Sequence, residues 1–117
     1  MLTTAYLLAW ARALLFTQIV EAPLYRAALG VGWGKALAAS AVTHPFVWFV
    51  FPPLAARFEI AYLPCAIVSE LFAWLVEAAF FVKICGVRPG RAIAFSLLAN
   101  AASVALGQAS RALFGLP

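Results

Sequence analysis

Residues 36–56 and 92–110 contain not one Asp, Glu, Lys or Arg, and each run is long enough to cross a membrane as a helix. A bilayer's hydrocarbon core is about 30 Å thick, which takes about 20 mostly apolar residues at about 1.5 Å each. Two further stretches, about 4–28 and about 62–84, are equally apolar but carry isolated charges. Breaks separate the four spans. Gly30, Gly32 and Gly34 follow the first, Pro52-Pro53 are expected to end the second, and Pro89-Gly90 stand between the third and fourth. Pro64 suits the first turn of the third helix, where its missing N–H costs little. The expected fold is therefore all-α: a four-helix transmembrane bundle forming a single membrane domain over residues 1–117.

Composition excludes the soluble alternative. The chain is 67% hydrophobic and 10% charged, against about 45–50% and about 25% in soluble domains. A small water-soluble fold buries too little of its surface to hide that much apolar area, and so apolar a chain does not stay disordered. The net charge of +4 comes without a basic patch interleaved with aromatics, so no nucleic-acid partner is expected. The expected partner is the lipid bilayer.

The charges instead suggest an orientation. Arg26, Lys35, Lys83, Arg88 and Arg91 flank the first and third loops, whereas Arg57 and Arg111 flank the other side beside Glu59. Cytoplasmic loops are enriched in Lys and Arg, so both termini are expected outside a bacterial-type inner membrane. Tyr6, Trp10 and Tyr62 then fall near the outer interface, and Arg12 can snorkel outward. No basic region precedes the first span, which does not fit a cleavable signal peptide, so that helix is expected to be retained. On one continuous helix Cys65 and Cys85 would lie about 30 Å apart, too far for a disulfide, and they read as packing residues. No Cys/His cluster suggests a metal, and no cofactor is expected.

Shifting the chain by 56 residues aligns it with itself without a gap. Ala5-Tyr6-Leu7 falls on Ala61-Tyr62-Leu63, Val20-Glu21-Ala22 on Val76-Glu77-Ala78, Gly30-Val31 on Gly86-Val87, and Ser40 on Ser96. Residues 5–44 give 14 identities in 40, where chance would give about 4. The expectation is two duplicated helical hairpins, about 5–58 and 61–114. As two spans per half preserve orientation, this is a parallel internal repeat with a pseudo-two-fold axis along the membrane normal. Glu21 is then paired with Glu77 and His44 with Asn100, while Glu70 falls on Leu14.

Each span carries one polar stripe at helical spacing: Gln18, Glu21 and Tyr25; Ser40, Thr43 and His44; Glu70 and Glu77; Ser96, Asn100 and Ser103, with Gly107 and Ser110 beyond. Four such stripes should converge on the bundle interior. An ionised acid at the bilayer centre costs about 2.5–3.5 kcal/mol, and no cation shares the depth of these three acids. Glu70 and at least one of Glu21 and Glu77 are therefore expected to carry a proton. Glu21, Glu70, Glu77, His44 and Asn100 are the candidate proton- or ion-binding residues, with Ser40, Thr43, Ser96 and Ser103 in support. The expected role is handling protons or small cations, as a minimal transporter or conducting subunit. The competing role is an accessory or assembly subunit whose polar interior only specifies packing. A single bundle leaves little room for a water-filled pore, so a homo-oligomer or a membrane partner is expected.

Enzyme readings are weak. The chain has one His and no Glu-x-x-His pair for a di-metal site. His44 could be at most one axial ligand of a haem. Ser40 and His44 lie four apart, but nothing supplies an orienting acid or oxyanion hole. No catalytic activity is expected.

Glu21-Ala22-Pro23, Thr43-His44-Pro45, Val76-Glu77, and Asn100 followed by Ser103 are short marks distributed over nearly the whole chain. In them the sequence resembles small bacterial four-helix membrane proteins carrying E-x-P, T-[HN]-P, V-x-E and N-x-x-S, although Val76 and Glu77 are adjacent here, without the intervening residue of V-x-E. The resemblance implies a fold and a membrane location.

Overall fold

The computed structural model describes residues 2–115; Met1, Leu116 and Pro117, included in the expected domain, lie outside the described residues. The chain forms α1 (Thr4–Leu29), α2 (Trp33–Phe49), α3 (Phe51–Arg57), α4 (Tyr62–Lys83) and α5 (Pro89–Phe114), with no strand among the described residues. α2 and α3 run on as one span, so four helical spans of 26, 25, 22 and 26 residues are each long and apolar enough to cross a membrane. The shortest covers about 33 Å at about 1.5 Å per residue, sufficient for the hydrocarbon core.

The prolines of the second span do not end it, contrary to the sequence expectation. α2 stops at Phe49, Val50 takes φ −111° and ψ −55°, and Pro52 and Pro53 sit in the opening turn of α3, which continues to Arg57. A first-turn proline forfeits no helical hydrogen bond of its own. The cost falls on the preceding turn, where the Trp48 carbonyl loses the N–H that a residue at 52 would otherwise supply. The Tyr6 hydroxyl takes that place, donating to the Trp48 carbonyl at 2.5 Å. Tyr6, half-buried in the first turn of α1, thus packs against Trp48 and Phe49.

In space the order round the bundle is α1, α2, α4, α5. α1 packs on α2 and α5, α4 packs on α2, α3 and α5, and α1/α4 and α2/α5 are the two diagonals. The surface is inverted relative to a soluble protein. Leu8, Leu15, Ile19, Leu75 and Leu98 are more than half exposed, while Glu21, Ser40, Thr43, Glu77 and Ser96 are buried. That pattern suits a lipid surround, in which helices associate through close packing and interhelical hydrogen bonds. The buried alanines Ala22, Ala36, Ala78, Ala92 and Ala99 allow the close approach.

The α1–α2 and α4–α5 turns share one end of the molecule with Arg26, Lys35, Lys83, Arg88 and Arg91, here called the basic end. The other is the termini end. Gly30 closes α1 at φ +69°, and Gly86, 56 residues on, also takes φ +69°, a left-handed conformation that glycine adopts without a Cβ clash. α2 and α5 begin at Trp33 and Pro89, again 56 apart. The Gln18 amide donates to the Leu37 carbonyl at 2.8 Å and the Trp74 indole to the Ile93 carbonyl at 2.9 Å, both pairs separated by the same 56 residues. Arg91 donates to the Ala28 carbonyl, tying α5 to the end of α1.

Candidate functional site: a carboxyl pair at the floor of a cavity

Glu21 lies about 12 Å from the basic end of α1, counting eight residues to Leu29 at about 1.5 Å each. It is 1% exposed, as is Glu77 on α4. Ser40 on α2 donates to Glu21 Oε1 at 2.6 Å, and Ser103 on α5 donates to Oε2 at 2.5 Å. Glu77 takes its donors from the other elements. Tyr25 on α1 donates to Oε1 at 2.5 Å, Thr43 on α2 to Oε2 at 2.7 Å, and the Asn100 amide on α5 to Oε1 at 3.3 Å. The two carboxyls are close enough for each to feel the other's charge. All four oxygens therefore accept bonds, and every span contributes a donor or an acid.

Tyr25 separates this cluster from the basic end. Its ring packs on Phe81 with centroids 4.4 Å apart, and both side chains are 0% exposed. Beyond them Val31, Ala36 and Ala92 close the bundle. Towards the termini end the bundle is hollow. A cavity of about 710 Å³ runs from Glu21, Glu77 and Asn100 to Tyr62, Gln108 and Arg111 at the rim. A single copy thus holds a cavity, though not a pore that crosses the bundle. The α2–α3 break and the small residues Ala13, Ala66 and Gly107 line an opening within one chain.

The expected site residues divide in three. Glu21, Glu77, Asn100, Ser40, Thr43 and Ser103 form one hydrogen-bonded cluster. His44 and Glu70 line the cavity but do not join it. His44 Nε2 lies 3.5 Å from Thr17 Oγ1, its Nδ1 has no partner, and the ring sits between Trp10 and Trp48, with centroids 6.5 and 6.2 Å away. Glu70 takes part in no hydrogen bond among the described residues, and the charged neighbour acting on it is Glu77, about two turns further along the same face of α4. Ser96 does not bond to a carboxyl: it donates to the Trp74 carbonyl at 2.9 Å. Sequence reasoning missed Tyr25 as a site residue. It lies four residues after Glu21 on the same stripe, but its reach across the diagonal to Glu77 depends on how the helices pack.

Two neighbouring carboxyls, surrounded by five neutral donors and, among the described residues, by no cation, suit the storage of a proton, because two adjacent carboxylates repel. Among the described residues no three His, Cys, Asp or Glu side chains converge as a metal ion would need. No protein-family model, curated protein or solved structure matches the chain.

Proposed function

We propose that this multi-pass protein is a minimal transporter that takes up and releases protons at the Glu21–Glu77 pair. The observation that carries the reading is the pair's position, at the blind floor of a cavity that reaches one end of the bundle only. A conducting subunit would need a path past Tyr25 and Phe81, and their complete burial favours a transporter with alternating access over an open pore. Glu21 and Glu77 hold the proton, Asn100, Ser40, Thr43 and Ser103 position them, and His44 and Glu70 line the approach. The 56-residue spacing of the glycine turns, helix starts and side-chain-to-carbonyl bonds supports descent from two duplicated hairpins.

By the positive-inside rule the basic end faces the cytoplasm, so the cavity opens outward from an inner membrane. The two native cysteines test this. Cys65 lines the cavity and Cys85 lies beside the basic-end turns. A membrane-impermeant maleimide added to intact cells should label Cys65 and spare Cys85; the reverse pattern inverts the topology.

The accessory-subunit reading draws on a specific observation, the full satisfaction of both acids by protein donors, which also suits a network that only fixes packing. Proton flux into proteoliposomes separates the two. Wild type should show flux above empty vesicles, and Glu21→Gln/Glu77→Gln, folded and inserted equally, should show none. Absence of flux in wild type, or full flux in the double variant, transfers the weight to the accessory role.

A further inference from the structure

The three acids of the cavity are not chemically equivalent. Both oxygens of Glu21 and both of Glu77 already accept hydrogen bonds from the protein. Glu70 has no such partner among the described residues and stands in the cavity wall between the floor and the rim. Glu70 is half-buried, so its carboxyl opens on the cavity and is free to pair with a counterpart that arrives from outside.

The remainder of the wall narrows what that counterpart is. Tyr6, Trp48 and His44 form a continuous aromatic row, with successive centroids 5.3 and 6.2 Å apart, and Phe16 and Tyr62 add two further rings. Aromatic faces attract cations, most strongly where water is displaced. Arg111, the one cation among the lining residues, is at the rim and exposed. The volume of about 710 Å³ lies within the about 300–1,000 Å³ of small-molecule sites. A bare metal ion is a poor fit, since it wants several free oxygens at about 2.0–2.6 Å and Glu70 is the one acid with oxygens to spare.

We propose that the cavity binds an organic cation, a quaternary or tertiary ammonium with an aromatic or alkyl body, with Glu70 as its counter-charge and the Tyr6–Trp48–His44 row against its body. This rests on the reading of the cavity as a working site and divides the labour within it: Glu21 and Glu77 hold the proton, Glu70 holds the solute.

Calorimetric titration of the purified protein in detergent with phenylpropyltrimethylammonium tests the proposal. The control ligand is the neutral analogue with carbon in place of nitrogen. Wild type should bind the cation and discriminate against the neutral analogue. Glu70→Gln, which breaks no hydrogen bond and should fold normally, should weaken binding by about tenfold or more. Glu70→Asp should retain most of it, and Glu59→Gln, exposed and outside the cavity, should leave it unchanged. Absence of binding to wild type, equal binding by Glu70→Gln, or equal binding of the neutral analogue overturns the proposal; the last marks an apolar slot for an acyl chain. Proton flux that persists without cation binding leaves the transporter reading standing, whereas cation binding without flux sinks that reading and keeps this one.

Discussion

The two ends of the bundle are built from the same four spans and solve opposite problems. Towards the basic end small residues and two interlocked rings, Tyr25 and Phe81, pack the centre of the bundle closely. At the termini end the break at Val50 and the small side chains of α1, α4 and α5 leave about 710 Å³. The acids lie at the boundary. Below them the packing is that of a seal, and above them it is that of a vessel. The difference teaches that polar residues in a membrane bundle need not line a path. Here they close one.

The largest expected effect breaks that contrast from the sealed side. Phe81→Ala removes a fully buried ring stacked on Tyr25 and should cost about 3–5 kcal/mol, since packing is what holds helices together in lipid. Phe16→Ala removes a ring of the same size from the cavity wall, where one side already lacks contacts, and should cost about 1–2 kcal/mol. Thermal unfolding of both variants in one detergent measures the gap. Equal costs would mean that the termini end is filled in the working protein.

The next contrast lies between acids. Glu77→Leu strands the Tyr25 and Thr43 hydroxyls and the Asn100 amide; Thr43 keeps a 3.3 Å bond to the Ser40 carbonyl and Asn100 a 2.8 Å bond to that of Ser96. Buried donors left unpaired cost about 1–3 kcal/mol each, so with those alternatives the expected loss is about 2–4 kcal/mol. Glu70→Leu strands nothing and removes an acid from an apolar wall, so stability should hold within about 1 kcal/mol or rise. A Glu70→Leu variant as unstable as Glu77→Leu would show that Glu70 has a structural partner, and the assignment of Glu70 to the solute would fall.

How much of this was legible in the sequence depended on periodicity. The spans, the polar stripes and the meeting of Glu21 with Glu77 follow from hydropathy and helical spacing, which act along one chain. The cavity does not. It arises from how far apart four helices stand, and no spacing rule encodes that distance. Pro52-Pro53 misled for a local reason: proline stops a helix from within but starts one at its first turn, and only the Tyr6 bond to the Trp48 carbonyl reveals which applies. His44, aligned with Asn100 in the shifted sequence, turns to Trp10 and Trp48 rather than to a carboxyl, because Thr43 occupies the position nearest Glu77.

The smallest effects concern glycine, and they sharpen the same comparison. At the basic end Gly30 and Gly86 both sit at φ +69° with open space where a Cβ would point, so any penalty for alanine comes from the backbone alone. A left-handed conformation costs an L-residue about 1–2 kcal/mol, and Gly30→Ala and Gly86→Ala should each lose about that much, by nearly equal amounts. Gly107 is the counterpart in the hollow half. It is helical, and a Cβ there would meet Phe16 Cε2 at 3.7 Å, an ordinary contact. Gly107→Ala should therefore gain about 0.5–1 kcal/mol from helix propensity while taking little from the cavity. Unequal losses at Gly30 and Gly86 would mean that the two turns, whose glycines share φ +69°, support unequal hairpins. A loss at Gly107 would mean that α5 approaches α1 more closely than the 3.7 Å contact allows, and that the vessel is narrower than 710 Å³.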